Sequence, residues 1–168
     1  LRDINSVLVQ IIYHIERFTL SLPDYLLTET DQFAALYADI YHLPRERIIP
    51  RPVGVDEAWF SPREGSQTEK FTVIYWGNFL PHHGLDTIVE AAAELDGSGV
   101  EFVFLGEGPE HNRTRAAVES RELSHVRFLG RVPMGDLVDW IATADICLGI
   151  FSSDIRARAS ITNKISEG

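Results

Sequence analysis

Apolar positions along the chain follow two different rhythms. From Leu1 to about Leu20, the residues Ile4, Leu8, Ile11, Ile12, Ile15 and Phe18 recur at three- and four-residue spacing, which predicts a helix with one face to bury. "DYLLTET" then reads as a short strand, Thr30 as the N-cap of a helix over "DQFAALYADIYHL", and Pro44 as its stop. "RIIPRPVGVD" is a second short extended piece. In "EAWFSPREGSQTEK" no period survives, and its Ser, Pro, Gly and charged residues predict an interdomain connection with a boundary near Glu69.

Beyond that boundary, continuous apolar runs alternate with helical ones: "FTVIYWG", "LDTIVEAAAELDG", "VEFVFLG", "PEHNRTRAAVESREL", "HVRFLG", "GDLVDWIATA" and "DICLGIF". Strands without polar alternation are buried on both faces, so this succession predicts a doubly wound α/β unit with a parallel sheet between helices. Such sheets bind ligands beyond the carboxyl ends of their strands. Three loops there open with glycine, at Gly77, Gly106 and Gly130. The pattern stops at "TNKISEG", where a helix is starting, and a sheet ended there would leave an edge uncovered. The expectation is a fragment of a longer chain.

Composition narrows the picture. The chain has 168 residues, 45% hydrophobic and 24% charged, which suits one sizeable core or one domain with part of another. A formal net charge of −10 argues against a surface for the nucleic-acid backbone, which is bound chiefly by Lys and Arg. A local basic pocket remains compatible with it. The single cysteine, Cys147, lies in an apolar run, so no disulfide framework is predicted and a reducing compartment fits. No apolar run approaches the roughly twenty residues that span a bilayer, and "LRDINSVLVQ" has no signal-peptide pattern. These points predict a soluble, cytoplasmic protein with at most peripheral membrane contact.

The loops carry the candidate chemistry. In "GNFLPHHGLD", Gly77 lets backbone approach a ligand, and the helix from about Leu85 offers unpaired N–H groups and a positive dipole end. His83, before Gly84, is either a proton-bearing donor to a phosphate or, with His82, an ordinary solvated loop residue. Adjacent histidines seldom point at one ion and no nearby Cys or His completes a ligand set, so no metal site is assigned. "FLGEGPE" lacks the third glycine of the dinucleotide signature; Gly106 and Gly108 make either a tight turn or room near a ligand. Arg131 in "RFLGRVP" is either a ligand contact or a solvated charge. In "IRARASITNKISEG", Lys164 and Glu167 share a helix face, as a simple ion pair or as a phosphate cation and a carboxylate for a sugar diol.

Taken in order, the segments resemble the glycosyl transferases group 1 family, retaining enzymes of the two-domain GT-B class (family 4-like). "RIIPRPVGVDEAWFSP" resembles that family's interdomain crossing through Ile49, Gly54, Val55, Asp56, Phe60 and Pro62. "VIYWGNFLPHHGLDTIVEAAAEL" resembles its first donor-domain strand, glycine loop and helix; "FVFLGEGPE", "VRFLGRVP" and "ADICLGIF" follow in the family's succession, and "NKISEG" resembles the opening of its nucleotide-sugar helix.

The resemblance implies residues 1–56 as the end of an N-terminal, acceptor-side domain, 57–70 as a linker and 71–168 as an incomplete Rossmann-like donor domain. It implies sugar transfer from a UDP- or GDP-type nucleotide-diphosphate donor to a saccharide or lipid-linked acceptor, with no cofactor and no metal. Catalytic roles would fall to Glu167 and Lys164. Gly77, Asn78, His83 and Gly84 would line the diphosphate with Gly106 and Glu107 nearby, Arg131 and Val132 would flank the base, and Glu167 would hold the ribose. Binding would draw on backbone N–H groups around Gly77 and Gly84 and on a charge-assisted contact from His83.

The chain departs from the family where many members carry arginine, lysine and a second glutamate; those places are Asn78, His83 and Ala159. Arg156 or Lys164 is the expected compensation. A nucleotide-sugar epimerase and a catalytically silent nucleotide-binding module are the competing readings, and these 168 residues are expected to be inactive alone.

Overall fold

The computed structural model describes residues 7–61 and 70–168. Ile4 of the first helix face, Pro62 of the crossing and the boundary at Glu69 lie outside the described residues. The chain divides into two compact units, one of Leu1–Pro52 with Ala159–Ile161 and one of Val53–Arg158 with Thr162–Gly168.

The first unit holds α1 (Val7–Ser21), β1 (Leu26–Thr28), α2 (Asp31–Tyr41) and, after a single 3₁₀ turn at Arg45–Arg47, β2 (Ile48–Pro50). The predicted cap is present: the Thr30 hydroxyl accepts the Phe33 N–H at 3.0 Å, which satisfies one of the donors a helix start leaves open. α2 ends at His42 in the left-handed conformation, two residues before Pro44. β1 and β2 pair in parallel with Leu26 opposite Ile48. The regular spacing in α1 does make a helix, but its apolar face is not buried; Leu8 is 65% exposed and Phe18 64%. α1 instead meets α2 through Tyr13, stacked on Tyr41 at 5.7 Å, and through Glu16, which accepts the Tyr41 O–H.

The second unit is the α/β unit predicted from the apolar runs. β3 (Thr72–Trp76), β4 (Glu101–Leu105), β5 (Val126–Gly130) and β6 (Ile146–Cys147) form one parallel sheet in the order β5-β4-β3-β6. Successive side chains of a strand point to opposite faces. Val73 and Tyr75 therefore enter the core under α3 (Leu85–Glu94) and α4 (His111–Glu119), whereas Ile74 and Trp76 enter the core under α5 (Met134–Thr143). α3 contributes Leu85, Ile88, Val89 and Ala92, the spacing of one helical face.

Fully burying side chains such as Ile74 and Val103 contributes about 1.5–3 kcal/mol each, whereas exposed pairs such as Arg115–Glu119 contribute about 1 kcal/mol or less. The sheet, not its surface charges, is the frame that positions the loops. β6 is shorter than the run "DICLGIF" predicted; after Cys147 only Leu148 continues the ladder, donating to Ile74 O at 2.8 Å. Two short helices, α6 (Ile155–Ala159) and α7 (Asn163–Glu167), close the chain.

Candidate functional site

The order β5-β4-β3-β6 means that the chain runs outward from β3 and then returns past it to β6. Open parallel sheets bind ligands beyond their carboxyl ends at such a reversal of strand order, which here falls between β3 and β6. The three glycine loops are tied together at this edge: the Gly77 N–H donates to Leu105 O at 3.0 Å and the Gly106 N–H to Gly130 O at 2.6 Å. A Cβ on Gly106 would stand 2.1 Å from Gly77 O, and one on Gly108 1.7 Å from Asn78 O. The room those glycines leave is thus filled by neighbouring backbone, which is the tight-turn reading. The Gly77 N–H, expected to face a diphosphate, is already engaged.

His83 ends a single 3₁₀ turn, Pro81–His83, that hands the chain to α3 through Gly84 at φ +68°. A Cβ on Gly84 would lie 2.6 Å from the Phe151 carbonyl carbon, so glycine lets the loops after β3 and β6 meet. The Phe151 N–H donates to His83 O at 3.0 Å and locks that meeting. His83 is only 7% exposed, which removes the solvated-loop alternative for it. Its Nδ1 lies 2.6 Å from the Tyr75 hydroxyl. Burial first, then Lys164 and His82, push its pKa down to about 4, so near pH 7 the unliganded ring is neutral. Without a ligand, then, His83 is a neutral polar group. Burial also holds the Tyr75 phenol well above its ordinary pKa.

Lys164 and Glu167, on α7, do not use their shared face for an ion pair. The Lys164 Nζ stands over the Tyr75 ring, 5.5 Å from its centroid, and would be 3.0 Å from a Cβ on Gly77. Gly77, at φ +146°, therefore makes space for an ammonium group. Burial lowers the Lys164 pKa while Glu167 acts to raise it. Glu167 Oε2 accepts the Trp76 indole N–H at 2.9 Å and borders a cavity of about 370 Å³ between Phe60, Ser61 and α5.

The remaining candidates lie around this centre. Asn78 is exposed beside Gly77. Arg131 pairs with Glu107 at 3.3 Å, both largely exposed, so neither is a bare solvated charge. Val132 packs into the core under α5. Ala159 is buried in the first unit, its carbonyl accepting the Thr30 hydroxyl at 2.5 Å. The Arg156 side chain lies outside the described residues. Among the described residues, no group of three or more His, Cys, Asp or Glu could hold a metal ion, and no helix is long and apolar enough to cross a membrane. Reasoning from motifs missed Tyr75 and Trp76; their signal was the strand's alternation, which sends consecutive residues from the end of β3 to His83 on one face and Glu167 on the other.

The family described as Glycosyl transferases group 1 matches residues 57–149, more than half of the chain. The chain belongs to that family. As a group 1 member it is 31% identical over 109 residues to the putative colanic acid biosynthesis glycosyltransferase WcaL of Escherichia coli (strain K12), a match covering 62% of this chain and 27% of that protein. Among solved structures it is similar to Anabaena Alr3699/HepE in complex with UDP and glucose, with TM-score 0.66 and 14% identity over 86% of this chain and 43% of that one.

WaaG, a glycosyltransferase involved in lipopolysaccharide biosynthesis, gives TM-score 0.64 and 18% identity over 84% of this chain and 42% of that one. The fold of this group 1 chain is accordingly a Rossmann-like α/β unit of the GT-B type. The chain spans 27% of the curated relative's length.

Proposed function

We propose that the protein transfers a sugar from a nucleotide-diphosphate-sugar of the UDP or GDP type to a saccharide or lipid-linked acceptor, with retention, as a family 4-like enzyme. The second unit binds the donor. One observation carries this reading: a half-buried lysine, Lys164, stands against a glycine, Gly77, at the carboxyl edge of the sheet, beside the buried His83. Departure of a nucleotide diphosphate builds negative charge on the leaving group, and a cation fixed in a partly desolvated site stabilises that charge more than one in water. Lys164 supplies it, in place of the arginine and lysine absent at Asn78 and His83.

In this reading His83 donates from its neutral ring to a phosphate oxygen, and the N–H groups opening α3 after Gly84 add further donors. Glu167 accepts the two ribose hydroxyls, and Arg131 and Val132 flank the base. No metal is needed for the step. The roles named for WcaL and WaaG, in colanic acid and lipopolysaccharide biosynthesis, support polysaccharide assembly as the setting of this transfer.

Calorimetric titration of UDP, GDP and ADP tests the reading. Selective binding of one diphosphate that falls about tenfold or more in Lys164→Ala is expected, the scale of a charge-assisted hydrogen bond. Equal, weak binding of all three that this substitution leaves unchanged would remove the donor site and favour an unrelated binding module.

A further inference from the structure

Tyr75 is 1% exposed at the end of β3, and its hydroxyl lies 2.6 Å from the Nδ1 of the equally interior His83. Between a phenol and an imidazole nitrogen either atom can donate, and the surroundings decide which does. Nδ1 is the phenol's hydrogen-bond partner among the described residues, so an Nδ1–H donated to it would leave the phenol's own proton unpaired in the core, and an unsatisfied buried donor is costly. The phenol therefore donates to Nδ1.

A neutral imidazole carries one N–H, so the proton then sits on Nε2, an atom for which no hydrogen-bond partner is found among the described residues. Ring packing holds the phenol where it can donate, since Phe79 meets Tyr75 edge-on at 5.2 Å between centroids and Phe104 packs at 5.7 Å.

We propose that Tyr75 is a positioning residue that fixes His83 in the Nε2–H tautomer, so that the ring presents a neutral N–H donor to an anionic ligand at the Gly77–Lys164 edge. This role presupposes His83 as a contact of the donor diphosphate. It explains how an imidazole can stand where many members of the family have lysine: the cation is Lys164, and His83 contributes direction without adding a second charge beside it. The groups facing His83 are Lys164 from α7, His82 from its own turn and Tyr75 from β3.

The experiment is nitrogen-15 NMR of the imidazole rings near pH 7, in the protein and in Tyr75→Phe, paired with UDP and GDP titration of both. For the unsubstituted protein we expect a His83 Nδ1 that carries no proton and an Nε2 that does. In Tyr75→Phe, which keeps the ring and loses only the hydroxyl, His83 should become a mixture of tautomers, and nucleotide affinity should fall about two- to tenfold, the scale of one neutral hydrogen bond.

That loss should vanish when both proteins also carry His83→Ala. A protonated Nδ1 in the unsubstituted protein overturns the proposal by itself, with no variant required. An unchanged tautomer in a folded Tyr75→Phe protein overturns it as well. Should neither nucleotide bind while the spectra behave as expected, the donor reading of the site fails and the control of the His83 tautomer by Tyr75 stands.

Discussion

At the scale of single residues, the candidate site depends on two neighbours in β3 that point opposite ways. Tyr75 reaches His83 and Trp76 reaches Glu167. A carboxylate held by one indole N–H keeps its remaining lone pairs for a ligand, which is what recognition of a vicinal diol requires. Glu167→Gln should therefore lower affinity for the preferred nucleoside diphosphate about tenfold, the scale of losing charged hydrogen bonds. Trp76→Phe, which keeps the ring packing under α5 but lets the carboxylate swing, should cost a smaller factor, about two- to fivefold. Titration with the 2′-deoxy nucleotide checks the assignment. If Glu167 holds the ribose, both substitutions should matter much less for the deoxy ligand; an equal loss on both ligands would show that Glu167 acts elsewhere.

At the scale of elements, the turn from β3 into α3 is the most constrained piece of the site. Gly84 combines a left-handed backbone with the approach of the Phe151 and Ser152 backbone, both 2.6 Å from where a Cβ would be. Gly84→Ala must strain the turn and push two loops apart, and should cost about 2–3 kcal/mol. A urea midpoint close to that of the unsubstituted protein would show that the loops separate freely.

The strands and helices of this unit were readable in the sequence because burial on both faces leaves an unbroken apolar run, as in "FTVIYWG", and burial on one face leaves helical spacing, as in α3. Thr30 was readable as a cap because its chemistry is local. What could not be read was contact across the fold. Nothing in "YWGNFLPHHG" says that Gly77 faces Lys164, that Gly106 and Gly108 receive the carbonyls of the first loop, or that His83 is interior. For α1, periodicity predicted the helix correctly but not the fate of its face, since a pattern of spacing states a need for burial and not its partner.

At the scale of the whole molecule, charge and burial act together when pH falls. The chain carries a formal −10 near neutrality, so acidification first relieves repulsion among carboxylates, which by itself would favour the folded state. His83 acts in the opposite direction. In the unfolded chain it takes up a proton near its ordinary pKa of about 6.5, whereas in the fold burial and the adjacent Lys164 hold it neutral down to about 4. Between those values the unfolded state binds more protons, and linkage then requires stability to rise with pH through the window.

The stability that His83 contributes as a neutral group is fully present above about pH 6.5 and is lost as pH falls toward 4, by at most about 3 kcal/mol at 1.36 kcal/mol per pKa unit. Urea unfolding at intervals from pH 7 to pH 4, in the protein and in His83→Gln, isolates this contribution, because glutamine keeps a polar side chain and has nothing to titrate. The protein should lose stability over the window more steeply than the variant. Bound nucleoside diphosphate should make that loss smaller, since a phosphate against the imidazole favours its protonated form, raises its pKa in the fold toward the unfolded value and so narrows the window. Parallel curves without ligand would mean that His83 is protonated as readily inside the fold as outside it.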